Sequence, residues 1–430
     1  MKTYNTDVTI IGGGAAGLAA AIEVNKGGKE VLILERGIEL GGILMQCIHN
    51  GFGIKEFNKE LTGPEYAQKF INEVNQLNIP YKLDTIVIEI TLDKKIYAVN
   101  KIEGLIEINS KTIILAMGCR ERTRGAINVP GFRPAGIFTA GQAQRFVNIE
   151  GYLPGKNIVI LGSGDIGMIM ARRLTWEGCN VKAVVEIQPY VSGLLRNEIQ
   201  CLEDYGIPLI TNYSLTKIHG KNRVKGVTIS KVDRNFDRII GSDQFIECDT
   251  LLLSVGLIPE NELTRIAGAE ISSMGGPIVD NNLETTLEGV FACGNVLQVH
   301  DLVDLVTAES KRAGRNAIEY INKRYKKKLK GIEKIHLSAG HNINYVKPDN
   351  ICLGEILGEI IINFRVKNPD RRIQINIKDE TNKTLYKKKK SYVIPSEMIE
   401  LKINLNNMEL NPKCNGLIVE VIPQLEPLIE

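Results

Sequence analysis

The chain has two hydrophobic textures. Up to about residue 325, short apolar runs lead into glycines and then into helical stretches. Beyond Lys330 the glycine-rich turns stop and apolar residues alternate with polar ones. The first pattern predicts buried parallel strands feeding helices, and the second predicts half-buried antiparallel strands.

The first run is Val8-Thr9-Ile10-Ile11, which enters Gly12-Gly13-Gly14-Ala15-Ala16-Gly17 and an alanine-rich helix. A second strand, Val31-Leu32-Ile33-Leu34, ends on Glu35, eighteen residues after Gly17. Each glycine of the G-x-G-x-x-G spacing has a physical task. Gly12 permits the tight turn, Gly14 lets a pyrophosphate approach the backbone, and Gly17 lets helix and strand pack closely. The helix N-terminus offers unpaired N–H groups to that pyrophosphate. An acid about 20 residues on accepts from a ribose hydroxyl. Strand, turn, helix, strand and acid fall in order, so this stretch reads as a dinucleotide site.

Leu40–Gly53 is too glycine-rich for a regular element and too apolar for a plain surface loop. A helix is predicted from Gly63-Pro64 to about Asn78, with Pro64 in its first turn. Thr85–Ile90, Ile96–Val99, Leu105–Ile108 and Thr112–Leu115 read as a strand plus a small antiparallel meander, closing at Ala116-Met117-Gly118. Residues 119–150 read as a connector, with Pro130-Gly131 and Pro134 as turn signals.

Then the opening pattern returns. Ile158-Val159-Ile160-Leu161 enters Gly162-Ser163-Gly164-Asp165-Ile166-Gly167, a helix follows to about Glu177, and Val181–Val185 ends on Glu186. Such a unit found twice is far more specific than one found once. It predicts two doubly wound α/β domains, each binding a dinucleotide at the carboxyl ends of its strands. A helix near Arg196–Tyr205 and strands near Ile207–Thr211 and Val224–Lys231 complete the second. Buried strands ending at Gly256 and at Gly294, then a helix from about Leu302 to Lys323, follow. The alternation at Ile373, Ile375, Ile377, at Ile399, Leu401, Ile403, Leu405 and at Leu417, Val419, Val421 predicts an antiparallel β-sandwich over 336–430.

Composition narrows the function classes. At 43% hydrophobic and 24% charged, the 430 residues can bury a sizeable core. A net charge of +3 leaves no footprint for nucleic acid or an anionic membrane. Lys326–Lys328 and Lys387–Lys390 read as solvated surface. No apolar run reaches the roughly 18 residues of a membrane span. A first strand beginning by Val8 leaves no room for a signal peptide, so a cytoplasmic location is expected. Eight cysteines form no C-x-x-C and five histidines are scattered, so neither a local dithiol nor a metal site is expected.

The two glycine motifs, Leu115-Ala116-Met117-Gly118, the strand ending at Gly256 and Gly289-Val290-Phe291-Ala292-Cys293-Gly294-Asn295 together resemble the two-dinucleotide-binding-domain flavoproteins, the pyridine nucleotide–disulfide oxidoreductase superfamily. The resemblance covers about residues 5–325. It implies a discontinuous FAD domain over 1–118 and 257–328, an NAD domain over 151–256, and hydride passage between nicotinamide and flavin. Within it, LGGILMQCIHNGFG (Leu40–Gly53), MGCRER (Met117–Arg122) and CGNVLQVHDLVD (Cys293–Asp304) are similar to the FAD/NAD-linked flavoprotein that accompanies anaerobic-type glycerol-3-phosphate dehydrogenases. They are more distantly similar to the flavoprotein subunits of opine oxidase and hydrogen cyanide synthase. That implies a role in glycerol metabolism, a protein redox partner and a homo- or hetero-oligomer.

Carried over by residue, the resemblance gives FAD to Gly12, Gly14, Ala15, Ala16 and Gly17, with Glu35 and Arg36 at the adenosine side. Gly41, Gly42, Gly118 and Gly294 would lie along the cofactor. Asn295 stands where the family usually has an Asp bonded to the ribityl chain; its carbonyl can still accept that bond. Backbone N–H groups near Val303 and Asp304 would face the flavin, where the helix dipole favours a reduced, anionic ring. NAD goes to Gly162, Gly164, Asp165, Ile166, Gly167 and Gly256. Glu186 favours NAD(H) over NADP(H), because a carboxylate accepts from a free 2′-hydroxyl and repels a 2′-phosphate.

The family's disulfide reductases relay electrons through a cysteine pair, and neither family position carries one here. Cys47 and His49 offer instead a single redox-active thiolate, the His lowering its pKa, which would make the chain a stand-alone NADH oxidase or peroxidase. The competing reading is a small apolar cysteine packed beside the flavin. A third possibility is a redox sensor or scaffold that binds both nucleotides without turnover. His300 and Asp301 precede the flavin-facing helix, where they could protonate an acceptor or cap the helix, an Asp at a helix start being expected first as a cap. Cys119 and Cys293 read as core, and Trp176 as packing.

Overall fold

The computed structural model describes residues 1–322, 334–352, 359–410 and 414–424. It divides into two compact units: Met1–Met45, Asn50–Cys119 and Pro259–Glu430 form one, and Gln46–His49 with Arg120–Ile258 form the other. Lys326–Lys328 and Lys323, the expected helix end, lie outside the described residues.

The first unit is built on a parallel sheet centred on β1 (Lys2–Ile11). β1 is flanked by β2 (Val31–Leu34) and by the long strand Gly104–Leu115, in registers Val8↔Val31 and Ile11↔Leu115. Tyr81–Lys82 extends the β2 edge, and Val290–Ala292 pairs in parallel with Ile113–Leu115. The amino-terminal half of Gly104–Leu115 pairs antiparallel with Lys95–Asn100, and that with Ile86–Ile90. Expected breaks at Asn109–Lys111 do not occur. Ser110 and Thr9 bury their hydroxyls against each other at 3.0 Å, and Ser110 also donates to Thr112 O at 2.6 Å. Satisfied in this way, a polar residue can sit inside a central strand.

Helix α1 (Ala15–Lys26) buries Leu18, Ala19, Ala20 and Ala21 completely. It is alanine-rich because it is enclosed on several sides: a Cβ on Gly314 of the Val303–Ile321 helix would stand 3.0 Å from Ala20 O. The Gly63–Gln76 helix opens on a capping box between Thr62 and Glu65, and its Tyr66 and Phe70 stack with Phe57.

The same unit carries the C-terminal β region as two sheets. Five strands run in the order Asn350–Cys352, Lys334–Ala339, Gly416–Pro423, Asp370–Asp379, Thr384–Val393; three run Ile343–Lys347, Glu359–Val366, Ile399–Asn404. Ile362, Phe364, Ile375, Leu401 and Val421 fill the core between them. Pairing is antiparallel except between Lys334–Ala339 and Gly416–Pro423. Lys387–Lys390 fall on the edge strand. Lys388 and Lys390 pair with the core residues Ile375 and Ile373. Lys387, Lys388 and Lys389 are exposed, as expected of solvated surface, and charges along an edge strand discourage further strand pairing.

The second unit has a five-stranded parallel sheet in the order Ile137–Thr139, Thr250–Leu253, β3 (Asn157–Leu161), β4 (Asn180–Glu186), Leu209–Thr211. Helix α2 (Asp165–Trp176) follows β3. A three-stranded antiparallel sheet adds Tyr213–His219, Gly226–Lys231 and Gln244–Ile246. Residues 119–150, expected as a connector, supply the edge strand Ile137–Thr139 and the helix Ala140–Arg145. A three-residue strand is too short to show a period. Trp176 is a surface residue, 56% exposed, donating to Tyr205 OH at 2.8 Å with Arg172 over its ring.

Candidate functional site

The first glycine turn is as tight as its spacing predicts. Gly12 sits at φ +111°, and a Cβ there would stand 2.4 Å from Ala116 O. A Cβ on Gly17 would meet Gly12 O at 1.8 Å. Gly14, by contrast, faces open space, with only Gly42 Cα at 3.9 Å. Gly41 bridges to Gly14, and its N–H donates to Gly13 O at 2.9 Å, so the Gly41-Gly42 backbone lies along the turn. Gly14 caps α1 with no side-chain bond, leaving the Ala15–Gly17 turn open for an anion. Glu35 is buried and accepts from Gly13 N and Gly37 N, both at 2.6 Å. Arg36 is exposed, and Gly118, at φ +73°, has open space around it.

The Gly294–Asp304 segment meets the same turn: a Cβ on Gly294 would stand 2.8 Å from Ala16 Cβ. Gly294 N donates to Glu309 Oε1 at 2.7 Å, and His300 Nε2 lies 3.1 Å from the same oxygen. Gln298 Nε2 donates to Glu309 Oε2 at 2.8 Å. Burial pushes the Glu309 pKa up, but His300, Arg312 and Gln298 together hold it below the ordinary carboxylate value. The Asn295 carbonyl accepts from His300 N at 3.0 Å, while its amide reaches Cys119 Sγ at 3.5 Å. Cys119 is therefore half-buried against a polar group, unlike the fully buried Cys293.

The expected cap at Asp301 is not made. The helix begins at Val303 with Leu302 at its N-cap and no side-chain cap. Asp301 pairs with Arg365 of the β-sandwich instead and accepts from Met398 N at 2.8 Å. A buried guanidinium outcompetes local N–H groups for a carboxylate. Asp304 turns its carboxylate to Gly53 N and Glu56 N, at 3.3 and 2.9 Å, tying the Leu40–Gly53 stretch to the helix start.

In the second unit Gly162 has φ +93°, and a Cβ on it would stand 2.2 Å from Ser254 O. Ser254 was not singled out in the sequence; it accepts from Gly167 N at 3.1 Å and fills the gap that Gly164 and Gly167 leave. Its place just before Gly256, at a strand end, was the available signal. Glu186 is buried; it accepts from Ser163 N at 2.8 Å, Ser163 Oγ at 2.6 Å and Gln188 N at 2.9 Å. Asp165 turns its carboxylate to Leu194 N and Asn197 Nδ2, and Ile166 is half-buried beside it. Gly256, at φ +100°, accepts from Arg122 N.

Gln46–His49 belongs to the second unit. Gln46 donates to Gly141 O at 2.9 Å and Gln144 Oε1 at 3.0 Å, and Cys47 Sγ lies 3.9 Å from the same Gln144 oxygen. Burial pushes the Cys47 thiol up to about 12. His49, two residues on, is half-buried. Among the described residues no group of His, Cys, Asp and Glu is arranged to hold a metal ion.

The sequence profile of the pyridine nucleotide-disulphide oxidoreductases matches residues 6–319. The chain belongs to that family. It is 24% identical over 311 residues to an opine oxidase subunit from Agrobacterium tumefaciens (strain Ach5), covering 67% of this chain and 61% of that relative. It thus spans less than two thirds of that relative. It is 26% identical over 305 residues to thioredoxin reductase of Bacillus subtilis (strain 168), covering 70% of this chain and 90% of that one. The crystal structure of T. acidophilum thioredoxin reductase shares the fold, with a TM-score of 0.60 at 24% identity over 73% of this chain and 98% of that one.

The chain is thus a member of a family of flavin-dependent, NAD(P)-linked oxidoreductases. The first turn fits a dinucleotide pyrophosphate, because Gly14 is the one glycine of the motif whose missing side chain opens onto space. Among the described residues no helix is long and apolar enough to cross a membrane.

Proposed function

We propose that the protein passes hydride between NAD(H), held at the second glycine turn, and FAD, held at the first, and exchanges electrons with a separate protein. The observation that carries this reading is that none of the eight cysteines lies in a C-x-x-C, so the family's internal relay has no such dithiol to run on.

Gly12, Gly14 and Gly17 would seat the FAD pyrophosphate against the N–H groups of Ala15 and Ala16, with Glu35 on the ribose and Arg36 at its rim. Gly41, Gly42, Gly118 and Gly294 would line the cofactor, and Asn295 would offer its second carbonyl lone pair. Val303 and Asp304 would present first-turn N–H groups. When bound, FAD supplies a two-electron centre able to take hydride from a nicotinamide. Gly162, Gly164, Asp165, Ile166, Gly167 and Gly256 would shape the nicotinamide dinucleotide site. The Glu186 carboxylate, buried beside it, would turn away a 2′-phosphate, so NADH is the favoured donor.

Cys47 and His49 are assigned to packing, since a thiol pushed up to about 12 supplies almost no thiolate at neutral pH. For the partner, the three stretches at Leu40–Gly53, Met117–Arg122 and Cys293–Asp304 support a glycerol-3-phosphate dehydrogenase-like system. A relative that is one subunit of opine oxidase is consistent with work inside a complex.

The test is anaerobic titration of the purified yellow protein with NADH and NADPH, followed by oxygen, peroxide and a disulfide as acceptors. Bleaching by NADH with slow turnover on all three supports the reading. Fast peroxide turnover lost in Cys47→Ser would replace it with the peroxidase. A protein that binds both nucleotides and never bleaches would be a sensor.

A further inference from the structure

Among the described residues, two sets of hydrogen bonds join the β-sandwich to the rest of its unit. One is a run of bonds to the 277–281 stretch: Lys347 Nζ to Pro277 O at 2.8 Å, Val279 N to Asp349 Oδ2 at 2.9 Å, and Cys352 N to Asn281 Oδ1 at 2.7 Å. The other is centred on the Arg365 guanidinium. Arg365 donates through Nη1 to Pro395 O at 3.1 Å and Ser396 O at 2.7 Å within the sandwich, and through Nη2 to Val299 O at 3.0 Å and to Asp301 outside it. Met398 N takes the other Asp301 oxygen at 2.8 Å.

The segment so gripped is short and fully constrained. Asp301 adjoins His300, whose N–H holds the Asn295 carbonyl at 3.0 Å and whose ring meets Glu309 at 3.1 Å. Glu309 in turn holds Gly294 N. The His300 and Glu309 side chains are 2% and 3% exposed, and Arg365 and Asp301 14% and 17%. Charges this deep are strongly held when paired and costly when one partner is lost. A displaced Asp301 therefore displaces His300, and with it the orientation of Asn295.

We propose that the β-sandwich is a positioning domain that acts through Arg365 on Asp301 to hold Asn295 in its FAD-binding orientation. The proposal rests on the assignment of FAD to the Gly294-Asn295 turn. It gives the sandwich a part in the reaction: Arg365 is a positioning residue that acts on the cofactor through Asp301, His300 and Asn295.

The test measures release of FAD from holoprotein after dilution, by recovery of free-flavin fluorescence, together with the visible flavin spectrum. Arg365→Gln and Asp301→Asn should each speed release by about tenfold, inside the range usual for coupling between sites, and shift the flavin spectrum while the far-UV signal stays unchanged. Because both act through one contact, the double variant should release FAD no faster than the faster single variant. Arg365→Lys should recover only part of the loss, since an ammonium can pair with Asp301 but cannot span four acceptors. Asp301 lies outside the sandwich, so Asp301→Asn decides the matter even if Arg365→Gln does not fold. Release within about twofold of wild type for Asp301→Asn, with a lower melting temperature alone, would overturn the proposal, because coupling of the expected size lies well above that. Wild-type protein that neither carries nor takes up FAD overturns the cofactor assignment, and this inference with it.

Discussion

Glu284→Gln should make the protein more stable than wild type at about pH 8 and confer no such advantage below about pH 4.5. Glu284 is 7% exposed, and its Oε1 accepts from Gly289 N at 2.6 Å. Burial raises its pKa from 4.5 to about 7; Asp280 and Glu288 add to the rise, and the Gly289 N–H and Lys334 oppose it. The folded state thus prefers the neutral acid. That contribution is fully present below the unfolded pKa of about 4.5 and is lost as pH rises through about 7. A gap of about 2.5 pKa units at about 1.4 kcal/mol each makes the swing about 3 kcal/mol. The amide introduced by Glu284→Gln keeps the acceptor for Gly289 and carries no charge, so the variant should show no such loss. Urea unfolding followed by far-UV circular dichroism, in parallel for both proteins across this pH range, reads the difference. A wild-type-minus-variant difference that stays flat would refute burial as the cause. The bond also anchors Gly289, which leads through the strand Val290–Ala292 to Gly294 and Asn295.

Three further outcomes follow from the site. Gly17→Ala places a Cβ at 1.8 Å from Gly12 O and should cost about 1–3 kcal/mol or more, with a fall in bound flavin; a normal flavin-to-protein ratio would count against the turn's role. Glu186→Ser should raise the NADPH-to-NADH ratio of flavin reduction rates by about tenfold in stopped flow, and an unchanged ratio would remove Glu186 as the selector. Cys47→Ser should leave NADH-driven turnover within about twofold of wild type, because a thiol held up to about 12 is hardly ionised near neutral pH.

The parts of the site legible in the sequence were those made by local chain geometry. Gly17 is forced by its approach to Gly12 O within one strand-turn-helix, while Gly12 and Gly162 are forced by positive φ and by the backbone of Ala116 and Ser254 at neighbouring strand ends; the local spacing reports all three. Glu35 and Glu186 end strands of the same units. The illegible parts depend on residues far apart in the chain. Glu309 lies in Ala308-Glu309-Ser310-Lys311-Arg312, which reads as a solvated helical face, yet it is 4% exposed. Asp301 had a local precedent as a cap, and a partner 64 residues away overrode it. The strand Tyr213–His219 was missed because Ser214, Thr216 and Lys217 blur its apolar pattern; Thr216 is satisfied by Thr228 O and Ser230.

The two nucleotide turns are the same device twice, in geometry as well as spacing. In each, the strand-end carboxylate is fixed by the N–H of the residue after the first motif glycine (Gly13, Ser163) and by the N–H two residues after itself (Gly37, Gln188). An ionised carboxylate offers roughly four acceptor positions, so after these bonds Glu35 keeps about two. Glu186 keeps fewer, because the Ser163 hydroxyl also donates to it. That hydroxyl in turn accepts from Ser192 N at 2.8 Å, so it is held in place rather than free to rotate away. Glu186 therefore keeps about one open acceptor position, against about two at Glu35. Ser163, between the two glycines of the second motif, is the residue that creates this asymmetry, since Gly13 at the matching place in the first has no side chain to donate.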